Sequence, residues 1–160
     1  MARDDSGIME LTIDAEGHIP GLVTHLSNKL SRSTSNLFRR HFGIGVLEWR
    51  ILAQLAIAPD ISASRLCAVI GLDKGAASRG MQRLGTLGLV TFADDGRVRR
   101  ARLTPAGRRL HERMLVVALE RERRLLAPLD EGERTTLQAL LARLEAQLPE
   151  VNRAIAIPPA

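Results

Sequence analysis

Aromatic side chains and lysine are nearly absent from this chain. Phe, Trp and Tyr make up 2% of its 160 residues, and tyrosine does not occur at all. A core with so few rings must be built from Leu, Val, Ile and Ala. Leu and Ala are good helix formers and weak strand formers, which favours helices packed side by side over a large β-sandwich. The single cysteine, Cys67, excludes an internal disulfide and suits a reducing cytoplasm. Between Leu66 and Ala68 and without a partner thiol, it reads as a small core residue rather than a redox sensor. No apolar run reaches the length of a membrane span, since Val116 to Leu119 is cut off by Glu120. The polar start, Met1 to Ser6 with Asp4 and Asp5, does not read as a signal peptide. His18, His25, His41 and His111 are dispersed without zinc-site spacing. No Ser/His/Asp set, glycine-rich phosphate loop or paired carboxylates can be assembled. Neither a metal or other cofactor nor an enzymatic activity is expected.

Almost all the positive charge is arginine; Lys29 and Lys74 are the only lysines. From Ser62 to Gly107 eight basic residues (Arg65, Lys74, Arg79, Arg83, Arg97, Arg99, Arg100, Arg102) stand against three acidic ones (Asp73, Asp94, Asp95). That excess equals the net charge of the whole chain, +5, so the flanks together are neutral. Charge concentrated between neutral flanks reads as a footprint for a polyanion; a solvated surface with an accidental excess is the plainer alternative.

Residues 1 to about 19 lack clear periodicity and read as an arm. Pro20 opens a helix with Leu22, Leu26, Leu30 and Leu37 on one face, which stops at His41 to Gly43. Gly45 and Glu48 begin a second helix, with Trp49, Leu52, Leu55 and Ala56 as its apolar face, and Pro59 ends it. Ser62 caps a short third helix with Leu66, Val69 and Ile70 inward and Gly71 as terminator. After about three residues Asp73 caps a fourth, with Ala77, Met81 and Leu84 inward, closed by Gly88. A short glycine-bearing turn between two helices is the connection of a helix-turn-helix. Leu89 to Phe92 and Arg97 to Leu103 form a hairpin around Asp95-Gly96. Thr104-Pro105 starts a long helix to about Ala127, with Leu110, Met114, Val117 and Leu125 on one side. Asp130 and Glu133 start the last helix, whose stripe is Leu137, Leu140, Leu141, Leu144 and Leu148.

This order specifies a mainly α fold with a small β-hairpin wing. A winged helix-turn-helix lobe spans 45–103, and helices over 20–42 and 104–148 form a dimerisation region from both chain ends, all within one domain, 1–160. The outer apolar stripes are buried either in an intertwined homodimer or in a monomeric bundle; the chain is short for the second.

The motifs in this order resemble the MarR family of bacterial transcription regulators over about residues 20 to 148. They are Glu48-Trp49-Arg50-Ile51-Leu52-Ala53, Gly71-Leu72-Asp73-Lys74, Ser78-Arg79, Arg83-Leu84 and Gly88-Leu89-Val90. Asp95-Gly96-Arg97 resembles the family's Asp-x-Arg wing element, and Leu103-Thr104-Pro105-Ala106-Gly107 its Leu-Thr-x-x-Gly helix start. Gly75 and Ala76 depart from it where Ser or Thr is common, Phe92 stands where a basic residue is common, and Gly80 weakens the recognition helix by about 1 kcal/mol relative to Ala.

The resemblance implies a cytoplasmic regulator of the repressor kind with double-stranded DNA as its partner. The N-terminal half of the fourth helix would enter the major groove, presenting Lys74, Gly75, Ala76, Ser78 and Arg79, with Arg83 a turn further on. Arg79 would fork to guanine or grip a phosphate. Gly75 and Ala76 would permit close approach. Ser62 and Ser64 would bond phosphate at a helix start. Arg97 would probe the minor groove from the wing tip, Asp95 would hold that tip, and Arg99, like Arg100 and Arg102, would contact phosphate or brace the wing. The resemblance also implies a small phenolic or aromatic carboxylate ligand. Its candidates are His25, Asn28, Trp49 and Arg50, each of which has a structural reading beside it: solvated, solvated, core and ion pair. The rival function is a helical dimerisation or adaptor protein that binds no DNA; it leaves the confinement of the charge unexplained.

Overall fold

Helix starts and stops follow the local chemistry. The computed structural model describes residues 17–71, 73–94 and 99–153. Helix α1, Ile19–Phe42, begins at the cap His18, whose Nδ1 accepts from Gly21 N–H at 3.2 Å; Pro20 sits inside the first turn. It ends at Gly43, which takes the left-handed conformation at φ 75°. Helix α2, Val46–Ile57, stops before Pro59, since the residue ahead of a proline is driven out of the helical region. Helix α3, Ala63–Ile70, is capped by Ser62 Oγ and closed by Gly71 at φ 61°. Helix α4, Lys74–Thr86, is capped by Asp73, whose Oδ1 accepts from Ala76 N–H at 2.8 Å.

Two strands, β2 (Val90–Asp94) and β3 (Arg99–Leu103), form the expected hairpin. A third, the two-residue β1 (Ile61–Ser62), precedes α3 and pairs with β3, with Ile61 opposite Ala101. The sheet is antiparallel in the order β1-β3-β2. Two residues are too few for alternation in the sequence to reveal a strand. Helix α5, Pro105–Leu125, follows, and then α6, Glu131–Ala146, and the single turn α7, Leu148–Val151.

The chain divides into two compact units, Met1–Met114 and Leu115–Ala160. In the first, the fully buried side chains are Phe38, Ile44, Ile51, Leu52, Leu55, Leu66, Leu84 and Met114. The expected inner face of α4 is buried: Ala77, Met81 and Leu84, with Gly80 between them. One expectation needs correction. Val69 is 46% exposed, because α3 buries the stripe 63, 66, 67, 70, which puts Val69 over its edge. In α1 the deeply buried residue is Phe38, whereas Leu22 and Leu26 stand half exposed.

In the second unit, Asp130 and Glu133 form the expected capping box, each carboxylate accepting from the other's backbone N–H at 2.8 and 2.9 Å. Arg134 donates to the carbonyls of Leu126 and Leu129 at 2.9 and 3.1 Å, satisfying acceptors just past α5. The last helix was expected to run through Leu148. It breaks at Gln147 because Pro149 has no N–H to donate and its ring would meet the carbonyl of Glu145. Leu137, Leu140, Leu141, Leu144 and Leu148 remain 40–53% exposed. Among the described residues, no helix is long and apolar enough to cross a membrane.

One junction fixes the sheet to α5. Thr104 N–H donates to the Leu89 carbonyl at 3.0 Å, and Thr104 Oγ1 donates to the Gly88 carbonyl at 2.7 Å while accepting from Gly107 N–H. A Cβ on Gly107 would sit 2.0 Å from the Leu89 oxygen, a backbone atom that cannot step aside. A Cβ on Gly80 would sit 2.6 Å from Ile51 Cδ1, the end of a side chain that can. Gly107→Ala is therefore expected to lower stability by about 3 kcal/mol. Gly80→Ala should change it by less than about 1 kcal/mol, because the gain in helix propensity offsets repacking. Denaturant midpoints of the two variants check the contrast; equal losses would contradict it.

Candidate nucleic-acid interface

Burial of one face of α4 fixes what the other presents. With 77, 80, 81 and 84 inward, Lys74, Gly75, Ser78, Arg79, Gln82 and Arg83 are exposed and Ala76 is half-buried. Lys74, Gly75, Ser78 and Arg79 thus come together on one outward surface of the first two turns, as expected. Gly75 has a further local consequence. A Cβ there would lie 3.2 Å from Arg79 Nη1, so the missing side chain leaves room for the guanidinium along the helix. Ser78 and Gln82 also border a hollow of about 330 Å³ with Ala63, Met81, Phe92 and Ala101, where α4 faces the sheet.

Arg83 is placed differently. Its Nε lies 3.4 Å from Glu48 Oε1, and its Nη2 donates to the Gly43 carbonyl at 3.3 Å. Ser62 and Ser64 meet at the start of α3, their hydroxyls 3.1 Å apart, and Ser62 Oγ also accepts from Arg65 N–H. Ser64 is exposed and Ser62 half-buried. Asp95 and Arg97 lie outside the described residues, and so does the side chain of Arg99, whose backbone pairs with Asp94.

The base of the wing rests on a residue that the sequence reading missed. Asp60 sits between α2 and β1 at φ 61°, a left-handed conformation that Asp tolerates better than most residues. Arg102 grips its carboxylate with two bonds, Nε to Oδ1 at 2.8 Å and Nη2 to Oδ2 at 2.7 Å. Arg100 Nη1 donates to the Asp60 carbonyl at 3.3 Å. Such a fork gives direction as well as attraction, even in a partly exposed pair. A turn aspartate after Pro59 was visible in the sequence; its partner 42 positions away was not.

Two of the four ligand candidates lie on α2 and two on α1. Trp49 is half-buried and stacks on His111, with ring centroids 5.3 Å apart and planes 12° from parallel; Phe38 meets it in an edge-on arrangement at 5.6 Å. Arg50 Nη2 donates to the Ile70 carbonyl at the end of α3. His25 and Asn28 are exposed on α1. Asn28 precedes Phe38 by ten residues, about 15 Å along the helix.

No sequence pattern pairs His111 with Trp49, 62 positions earlier. Burial against Trp49 holds its pKa below the ordinary histidine value; Glu112 opposes that shift and Arg108 adds to it. The unfolded chain therefore binds a proton on this histidine at a pH where the folded chain does not. Stability should fall as pH drops below about 6.5, the unfolded value, until the folded pKa is passed. His111→Phe, which retains the ring stack, should flatten this part of the profile. Unfolding midpoints between neutral pH and mild acid test it; identical profiles for the two proteins would refute the assignment.

The family model for MarR matches residues 42–101, the stretch from the end of α1 to β3. No curated protein matches the chain by sequence. Among solved structures it is similar to a MarR/EmrR family transcriptional regulator from Acinetobacter sp. ADP1, with 33% identity and a TM-score of 0.82 over 86% of this chain and 99% of that one. It is also similar to the PcaV transcriptional regulator from Streptomyces coelicolor, solved in complex with its natural ligand: 25% identity, TM-score 0.71, 85% and 97% covered. A mutant MarR from E. coli complexed with operator DNA shares the fold at 24% identity, with a TM-score of 0.70 over 83% and 99% of the two chains.

Proposed function

Because the chain belongs to the MarR family of transcription regulators, we propose that it is a repressor that binds a pseudopalindromic operator as a homodimer and is released by a small aromatic or phenolic ligand. The observation that carries this reading is the division of α4 into two faces. Ala77, Gly80, Met81 and Leu84 are buried, and Lys74, Ser78 and Arg79 are exposed on the opposite side, beside an arginine-bearing wing. Arg79 reads base edges or grips a phosphate, Lys74 meets the backbone as a point charge, and Arg97 and Arg99 extend the surface along the wing. Ser62 and Ser64 hold a phosphate at the start of α3.

Exposed apolar side chains support a second copy as partner. Ile19, Leu22, Val23 and Leu26 on α1 are 45–60% exposed, and Leu137, Leu140, Leu141 and Leu144 on α6 are 40–53% exposed. Patches of this kind mark interaction surfaces. The helices over 20–42 and 104–148 thus serve dimerisation and 45–103 serves DNA. Two recognition helices in a symmetric dimer match half-sites about one DNA turn apart. The ligand site is built around Trp49 and Arg50, with His25 and Asn28 as further candidates, and the protein works in the cytoplasm without catalysing a reaction.

The test is binding to operator DNA selected from a random-sequence pool, measured across salt concentrations. Affinity should fall steeply with salt. Arg79→Ala should cost about 1–3 kcal/mol and relax specificity, while Lys74→Ala should weaken all sequences and reduce the salt slope by about 1. Absent or salt-independent binding would favour the adaptor reading. Light scattering should return twice the 17.5 kDa chain mass. For the ligand, a panel of aromatic acids should include one that raises the unfolding temperature and alters emission from Trp49, the sole tryptophan. A panel that changes neither would count against release by such compounds.

A further inference from the structure

Arg83 lies on the exposed side of α4 and carries a charge, which makes it look like a phosphate contact. Its surroundings assign it another role. We propose that Arg83 is a positioning residue: it sets the seat of α4 on α2 through Glu48 and the Gly43 carbonyl and does not meet DNA. Its consequence for DNA affinity rests on the regulator reading above.

Three observations carry this. Glu48 is only 8% exposed, and its Oε2 is occupied, accepting from Gly45 N–H at 3.0 Å to cap α2. The other oxygen faces Arg83 Nε at 3.4 Å. A carboxylate this buried is costly without a cationic or hydrogen-bonding partner. The second observation is that the same guanidinium reaches the Gly43 carbonyl at 3.3 Å, so one side chain of α4 holds both the end of α1 and the start of α2. The third is Gly80, one turn earlier, where α4 approaches so closely that a Cβ would sit 2.6 Å from Ile51 and 3.4 Å from Leu47.

A glycine contact permits close approach but supplies no side chain to resist rotation or sliding. The Arg83–Glu48 link, three residues along on the neighbouring row, supplies that resistance. Arg79 lies one turn before Arg83, so fixing the azimuth of position 83 fixes that of position 79 as well. The role requires a fork. Nε and Nη2 reach different acceptors, which a single ammonium group cannot reproduce.

The full-length protein, Arg83→Ala and Arg83→Lys are compared on pool-selected operator and on random-sequence DNA. Both variants should lose specific affinity by the same factor, roughly five- to tenfold. Their salt slopes and their affinity for random DNA should match the wild type. If lysine restores wild-type affinity while alanine flattens the salt slope by about one, Arg83 meets a phosphate and the proposal is overturned. A second measurement uses no DNA. Unfolding midpoints of Glu48→Ala, Arg83→Ala and the double variant should be non-additive, and strictly additive shifts would overturn the clamp. Should Glu48→Ala fail to fold, Glu48→Gln, which keeps an acceptor for Gly45 N–H, closes the same cycle. A wild-type chain that binds no DNA at all would defeat the regulator reading; the cycle would then decide the clamp alone.

Discussion

The packing of α4 against α2 is the constraint on which the outward surface of α4 depends. With no side chain at Gly80, α4 lies directly against the side chains of Ile51 and Leu47 on α2. That contact orients the buried stripe of α4, and the stripe orients everything opposite to it. Lys74, Ser78 and Arg79 point outward because Ala77, Met81 and Leu84 have a core to enter. The cap at Asp73 then sets where the helix begins, and therefore which residues occupy its first turn.

The wing is held by other means. Its strands place Val90 and Ala101 in the core, and its base is tied at two places by polar groups. On one side Asp60 receives Arg102 and Arg100. On the other, the Gly88 and Leu89 carbonyls receive the hydroxyl and amide of Thr104. Gly107 is required because α5 passes over the Leu89 carbonyl without room for a Cβ. The motif that marks this helix start in the sequence is thus a packing requirement where strand meets helix. The charge excess of the segment also has to be divided. Arg83, Arg100 and Arg102 contribute to the +5, yet each has acceptors inside the protein. The count therefore overstates what is available for a polyanion.

Local rules made much of this legible in advance. Capping residues, glycine terminators and prolines placed the helices to within a residue or two, and the helix-turn-helix and hairpin followed from their order. Interactions between distant positions were not legible. Asp60 gave a turn signal, but nothing near it indicated Arg102. Glu48 read as a favourable first-turn acid, and its second partner on α4 lay 35 positions on. Trp49 read as core without any sign of His111. Gly80 read as a propensity defect, because propensity is a single-helix quantity and the reason for the glycine lies in the next helix. Val69 failed for a related reason: an eight-residue helix offers two overlapping apolar stripes, and only its neighbours choose between them.

The scarcity of lysine also acquires a structural reason. At position after position the cation must satisfy two acceptors in fixed directions. Arg102 takes both oxygens of Asp60, Arg83 divides its nitrogens between Glu48 and Gly43, and Arg134 divides its own between Leu126 and Leu129. Arg123 reaches both oxygens of Glu120, where Arg124 also bonds, and together they hold that carboxyl at about 2, well below the usual range. A planar guanidinium makes such paired bonds with little further ordering, whereas an ammonium on a flexible stem makes a point contact. Both lysines, Lys29 and Lys74, are exposed. Lys74 stands in the first turn of α4, on its outward face. Arginine, not lysine, builds the frame on which α4 and the wing are seated.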